Sequence, residues 1–274
     1  MSSISKELKK QGKKIGFVPT MGYLHQGHLS LVEIAKKNAD IVVISIFVNP
    51  TQFGPNEDFQ KYPRDFNRDC ELLKPYDVDY IFYPSIDDIY QKNFSTYVEE
   101  TEISKVLEGK YRPTHFKGVT TIVNILFNIV KPDIAVFGQK DAQQLAIISK
   151  MVKDLMMDIE IIPAPIVREN DGLAMSSRNL YLSLEERKDA LVLFKALSYA
   201  KDLIFKGERN CDVIRNKGME ILTSVSTSNP DYFEIVEAES FKFIEKLENG
   251  KKYYLLTACR IGSTRLIDNF LINL

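Results

Sequence analysis

Residues 40–48, DIVVISIFV, are apolar nearly throughout. A strand without polar alternation needs cover on both faces, and such strands belong to parallel sheets packed between helices. Further short apolar runs stand at 15–18 (IGFV), 78–84 (VDYIFYP), 133–138 (DIAVFG) and 159–167 (IEIIPAPIV). Between them, residues 28–38, 64–74, 118–130 and 141–156 read as helices, the second opened by Pro63 and closed before Pro75. Strands alternating with helices at this spacing predict an α/β fold with a Rossmann-like, doubly wound parallel sheet.

The texture changes after about residue 172. Residues 183–207 read as one long helix, with Ser183 as N-cap and Gly207 as C-cap, and residues 211–226 as a second. DYFEIVEAES and KYYLLTACRIGSTRLIDNFLI then read as strands. The division predicted is a first domain over 1–172 and a small α+β domain over 173–274. No internal repeat or low-complexity segment interrupts either part.

Composition narrows the functional classes. Charged residues make up 27% of the 274 and the net charge is −1, so no basic field exists to hold nucleic acid by counterion release. The three cysteines, Cys70, Cys211 and Cys259, are widely spaced and odd in number, which fits neither a disulfide framework nor a zinc site and points to a reducing compartment. The opening MSSISKELKKQGKK lacks the apolar core of a signal peptide, and the run at 41–48 is too short to span a bilayer. The expectation is a soluble cytoplasmic protein without a membrane or nucleic-acid partner.

In an open parallel sheet, ligands bind beyond the carboxyl ends of the strands. Four segments occupy that position: PTMGYLHQGH, NPTQFGPNEDF, GQKDAQQ and RENDGLAMSSRN. Together they supply His25, His28, Lys140, Arg178, Ser176, Ser177 and several glycines. Cations, hydroxyls and close backbone approach are the means by which proteins hold phosphate. The chain has three histidines, and two of them stand three apart in HQGH, directly after a strand and around Gly27. Three-residue spacing lets two side chains on a helix face the same way, and a helix N-terminus offers unpaired N–H groups to an anion. Two imidazoles there can donate to a phosphorus centre gaining negative charge.

HQGH resembles the His-x-Gly-His signature of the nucleotidyltransferase superfamily, and AMSSRN looks like its second, mobile-loop signature. FVPTMGYLHQGHLSLVEIA, SIFVNPTQFGPNEDFQKYPRD, FGQKDAQQLAIISKMVKDL, RENDGLAMSSRNLYL and the late RLIDN are, in order, similar to blocks of the pantothenate synthetase (pantoate–β-alanine ligase) family. The resemblance covers residues 15–269. It implies ATP-dependent ligation of pantoate and β-alanine through a pantoyl adenylate, with release of pyrophosphate and then AMP.

Carried onto this chain, the resemblance places ATP on Met21, Gly22, Tyr23, Leu24, His25, Gln26, Gly27 and His28. His28 is then the principal catalytic imidazole, with His25 and Lys140 beside it. Gly138, Gln139, Lys140 and Asp141 contact the nucleotide, and Val167 packs near adenine. Met175, Ser176, Ser177 and Arg178 close over the phosphates, and Gln52 and Gln144 hold pantoate, Gln52 also helping to place β-alanine. Gln139 stands where many members have Glu, and an amide keeps acceptor capacity without the charge. Mg²⁺ is expected to arrive with ATP through its phosphates, and no protein metal ligand is assigned. The first domain is then the nucleotide-binding catalytic one, the second a lid, and the assembly a homodimer.

Two other readings compete. A tRNA synthetase of the same superfamily needs a tRNA-binding extension and a basic face, whereas about 100 residues follow position 173 and the charge is near neutral. A regulatory nucleotide-binding module has no need for two imidazoles, a lysine and a Ser-Ser-Arg loop together. His115, in RPTHFKG, either reaches the site or packs under a loop.

Overall fold

The computed structural model describes every residue except Asn56, and the chain divides into two compact units. The first comprises residues 1–139 and 143–165, the second residues 140–142 and 166–274.

The first unit runs α1 (Ser2–Lys10), β1 (Ile15–Thr20), α2 (Gln26–Asn38), β2 (Ile41–Ile46), α3 (Phe66–Leu73), β3 (Tyr80–Phe82), α4 (Ile86–Ile89), α5 (Glu108–Tyr111), α6 (His115–Val130), β4 (Ile134–Gly138), α7 (Ala142–Asp154) and β5 (Glu160–Ala164). Its sheet has the order β3-β2-β1-β4-β5, and each neighbouring pair is parallel. Successive strand residues face opposite sides, and the core divides accordingly. Phe17, Val43, Ala135 and Phe137 pack with Leu8, Val119, Phe127 and Ile148 from α1, α6 and α7. Val18, Val42, Ile44 and Val136 pack with Leu29, Val32, Ala35 and Leu73 from α2 and α3. Cover on both faces explains why β2 carries no alternation. Pro163 lies in β5, an edge strand, where a missing N–H costs no ladder bond.

The second unit contains α8 (Leu184–Asp189), α9 (Leu191–Phe205), α10 (Cys211–Leu222) and the strands β6 (Ser228–Glu237), β7 (Lys252–Ile261) and β8 (Thr264–Asn273). The strands form an antiparallel sheet in the order β6-β7-β8. One core joins the helices to the sheet, with Leu193, Leu197, Ile204 and Ile214 against Phe233, Leu255 and Ile261.

The long helix read over 183–207 is two helices. Ser183 caps α8 in a reciprocal arrangement with Glu186, but the bond from Leu193 N to Ala190 O (3.3 Å) spans three residues rather than four and tightens the backbone at the buried Ala190. Gly207, at φ +105°, closes α9, with Glu208 N bonded to Leu203 O. α1 lacks a sequence signal, since its segment is mostly polar and its burial rests on Ser5 and Leu8.

Candidate active site

β1 and β4 are neighbours in the sheet, and their following helices pack on opposite faces. Their carboxyl ends therefore flank a crevice at a topological switch point. The segment 21–28 leaves β1 there, and Gly138 and Gln139 leave β4.

The turn after β1 is built by two residues with left-handed backbone, Gly22 at φ +80° and Tyr23 at φ +50°. Gly22 is needed for space as well, since a Cβ there would lie 2.9 Å from Ile46 Cγ2 and 3.1 Å from Asp69 Oδ2. This backbone presents two successive N–H groups, from Tyr23 and Leu24, to the Asp69 carboxylate at 2.7 Å each. The neighbouring Arg68 takes Leu24 O at 3.0 Å and stacks over the Tyr23 ring. Asp69 is 1% exposed. Burial raises its pKa above the usual carboxylate value, while the two amides and Arg68 oppose the rise.

His25 is the N-cap of α2, so the helix starts at Gln26 rather than near His28. Gly27 N donates to His25 Nδ1 (3.1 Å) and His25 N donates to His28 Nδ1 (3.3 Å). Each Nδ1 is thus an acceptor, and each neutral ring carries its proton on Nε2. The ring centroids are 4.1 Å apart. The common facing anticipated from three-residue spacing holds, through capping geometry.

Gln52 closes a short 3-10 turn after β2 and is buried. Its Nε2 lies 3.0 Å from Met21 Sδ, which joins it to the turn after β1. Asn49 Nδ2 donates to Gln52 Oε1 (3.1 Å) and to Gly118 O (3.1 Å), and Tyr90 donates to Asn49 Oδ1 (2.7 Å). His115 packs beneath, with its Nδ1–H on Gln52 O at 2.9 Å. Burial, reinforced by Arg112, lowers its pKa to about 4 and keeps the ring neutral. Of the two readings for His115, packing under a loop is the one observed. A Cβ on Gly118 would lie 2.4 Å from Thr51 O, so glycine lets α6 approach this turn.

Gln144 stands half-buried in the first turn of α7. Its neighbour Gln143 is buried and structural, donating to Ile103 O and Val106 O and accepting from Glu108 N. A cavity of about 160 Å³ opens beside the β1 turn, lined among others by Met21, Tyr23, Phe47, Phe66, Asp69 and Tyr83.

The second unit holds the remaining candidates. Lys140 Nζ lies 3.9 Å from Asp141 Oδ1, and Lys140 O accepts from Asn269 Nδ2 at 2.8 Å. Val167 and Met175 are joined by the bond from Met175 N to Val167 O (3.0 Å). Ser176 caps the 3-10 helix Ser177–Tyr181 by accepting from Arg178 N (3.3 Å). Among the described residues, no group of three or more His, Cys, Asp or Glu side chains could hold a metal ion. No helix of the described residues is long and apolar enough to cross a membrane.

The family model for pantoate-beta-alanine ligase matches residues 1–271. The chain belongs to the pantoate-beta-alanine ligase family. It is accordingly a ligase of pantoate and β-alanine, forming pantothenate in an ATP-dependent reaction. The pantothenate synthetase of Fervidobacterium nodosum is 59% identical over 273 residues, which is 100% of this chain and 96% of that one. The crystal structure of pantothenate synthetase from Thermus thermophilus superposes with a TM-score of 0.91 at 43% identity, covering 97% of this chain and 96% of that one. The pantoate-beta-alanine ligase from Francisella tularensis, complexed with Beta-gamma ATP and beta-alanine, gives 0.75 at 38% identity over 98% and 94%.

Asp69 and Arg68, which hold the turn after β1, and Asn49, which holds Gln52, are the residues of this candidate site that the sequence alone did not single out. The one available signal was position: Asn49 stands in the segment after β2, and Asp69 and Arg68 do not.

Proposed function

We propose that the ligation runs through a pantoyl adenylate made at the β1 turn, with His25 and His28 as the imidazoles that act on phosphorus. The observation that carries this reading is their reciprocal capping geometry. Both Nδ1 atoms accept backbone N–H groups, so both Nε2–H groups are donors, paired at the N-terminus of α2. A carboxylate attacking the α-phosphate of ATP builds negative charge there, and each preorganised donor aimed at such charge is commonly worth ~10²–10³ in rate. No covalent nucleophile is required, because the adenylate is itself the activated acyl group.

Met21–His28, Gly138, Gln139, Lys140, Asp141 and Val167 hold ATP in this reading, and Met175–Arg178 close over its phosphates. Lys140 and Arg178 supply charge against the triphosphate. Gln52 and Gln144 bind pantoate, and Gln52 helps to place β-alanine. The buried Asn49–Gln52 pair supports a fixed amide there, and the Francisella complex supports ATP and β-alanine as ligands of such a fold. Mg²⁺ enters as MgATP, bound through phosphate oxygens and water. The second unit serves as the lid that keeps water from the adenylate. The enzyme works in the cytoplasm as a homodimer; light scattering is expected to give about twice the 31.4 kDa chain mass, and a monomer mass would contradict that assembly.

Pantoate-dependent exchange of labelled pyrophosphate into ATP, measured without β-alanine, tests the adenylate. Exchange is expected. A strict requirement for β-alanine would overturn the two-step route.

A further inference from the structure

The RLIDN segment lies in β8, outside all the substrate contacts assigned above, yet Asp268 and Asn269 are 3% and 1% exposed. Asp268 takes Arg168 in a two-pronged pair, Nη1 to Oδ2 at 2.7 Å and Nη2 to Oδ1 at 2.9 Å. Arg168 also donates to Gly172 O (2.9 Å) and Asn269 O (3.2 Å). Its guanidinium sits 5.0 Å from the ring centroids of both Phe194 and Phe270. Arg168 and Gly172 belong to a small hairpin, bridged at Arg168 and Ala174 and closed by Glu169 N to Leu173 O (2.8 Å) and Met175 N to Val167 O (3.0 Å). That hairpin leads directly into Met175–Arg178. The next residue of β8, Asn269, donates through Nδ2 to the backbone carbonyl of Lys140 at 2.8 Å.

We propose that Asp268 and Asn269 are positioning residues that fix, from one rigid strand, the two ATP-handling segments of the second unit. Asn269 sets the backbone of Lys140, and Asp268, through Arg168, sets the hairpin that carries Met175–Arg178. The proposal rests on the assignment of those segments to ATP. Lys140 and the hairpin are separated in the chain, and two consecutive β8 residues give them a common reference. A buried ion pair is by itself weak support for stability, since apolar residues can often replace it without loss. Its two-pronged geometry does fix orientation.

The test is Asn269→Ala, alone and combined with Lys140→Ala. The single variant is expected to fold and to lose about tenfold in single-turnover adenylation, with the apparent KM for pantoate unchanged. In the Lys140→Ala background it should cost less than twofold more, because residues acting as a unit are non-additive. A single variant within twofold of wild type, or an equal loss in both backgrounds, would overturn the proposal. Amide hydrogen exchange supplies a readout free of activity. Asn269→Ala should speed exchange at 140–142 and leave β6 and β7 unchanged, and Asp268→Asn should speed it at 167–175. Unchanged exchange in those segments would also overturn the proposal. If Lys140→Ala leaves adenylation intact, the role given to Lys140 fails, and exchange alone then decides the positioning claim. Should Asn269→Ala not fold, Asn269→Ser, whose hydroxyl is too short to reach Lys140 O, is read in the same way.

Discussion

The carboxylate of Asp69 accepts the backbone N–H of Tyr23 at 2.7 Å, and Tyr23 is held at φ +50°. Its other oxygen accepts Leu24 N at the same distance, so one buried side chain fixes the strained turn that delivers His25 to the start of α2. Asp69→Ala leaves two amides without their charged acceptor and should cost about 2–4 kcal/mol in thermal or denaturant unfolding. Asp69→Asn places an NH₂ against an amide N–H and should slow adenylation about tenfold. Acid pH has the corresponding effect. Protonation removes an acceptor, and burial sets that event above the usual carboxylate range. Wild-type adenylation should therefore fall on the acid side through this pKa, and the Asp69→Asn profile should lack that limb. An unaltered profile in Asp69→Asn would contradict the role.

His115 gives a stability prediction that rests on a neutral ring rather than a charged one. Its folded pKa, about 4, lies below the value of 6.5 expected for an exposed ring. The unfolded chain takes up a proton first as pH falls, so the stability supplied by the neutral buried ring is complete above about 6.5. It is lost between there and about 4, at about 1.4 kcal/mol per pH unit. Denaturant unfolding across that window should show the slope in wild type. His115→Asn, which keeps a donor near Nδ1 and does not titrate, should show a shallower one by about that amount.

The role proposed for Gln52 lies with pantoate rather than with ATP. Its amide is fixed by Asn49 and touches Met21, and a neutral amide suits a hydroxy acid better than a triphosphate. Gln52→Ala should raise the apparent KM for pantoate about tenfold or more and change ATP affinity, measured by calorimetry, less than threefold. Equal losses in both would mean a general collapse of the turn.

Legibility in the sequence followed burial. β1, β2 and β4 were readable because strands covered on both faces lack alternation, and the parallel class of the sheet followed from their spacing. HQGH stood out because histidine is rare in this chain and the pair follows a strand, and the two rings do meet at the start of α2. Asp69 was not, because FNRDCELL resembles any solvated helix and its function comes from two amides 45 and 46 residues earlier in the chain. Gln143 and Gln144 look alike in sequence; only packing shows that Gln143 serves α5. The first turn of α6 has no local signal, because the burial of His115 depends on a carbonyl 63 residues away. The break at Ala190 has none either, because a single three-residue bond makes it.

Single-turnover adenylation by His28→Ala shows whether His28 acts on phosphorus as it gains charge. An imidazole that donates mainly in the transition state should affect kcat more than ATP affinity. The variant should unfold within a few degrees of wild type and adenylate pantoate ~10²-fold more slowly or worse, and His28→Asn should recover part of that loss through its amide N–H. Were His28 only the partner of His25 N in a helix cap, the alanine variant would lose stability while each folded molecule kept a wild-type single-turnover rate, and that result would rule out a catalytic His28.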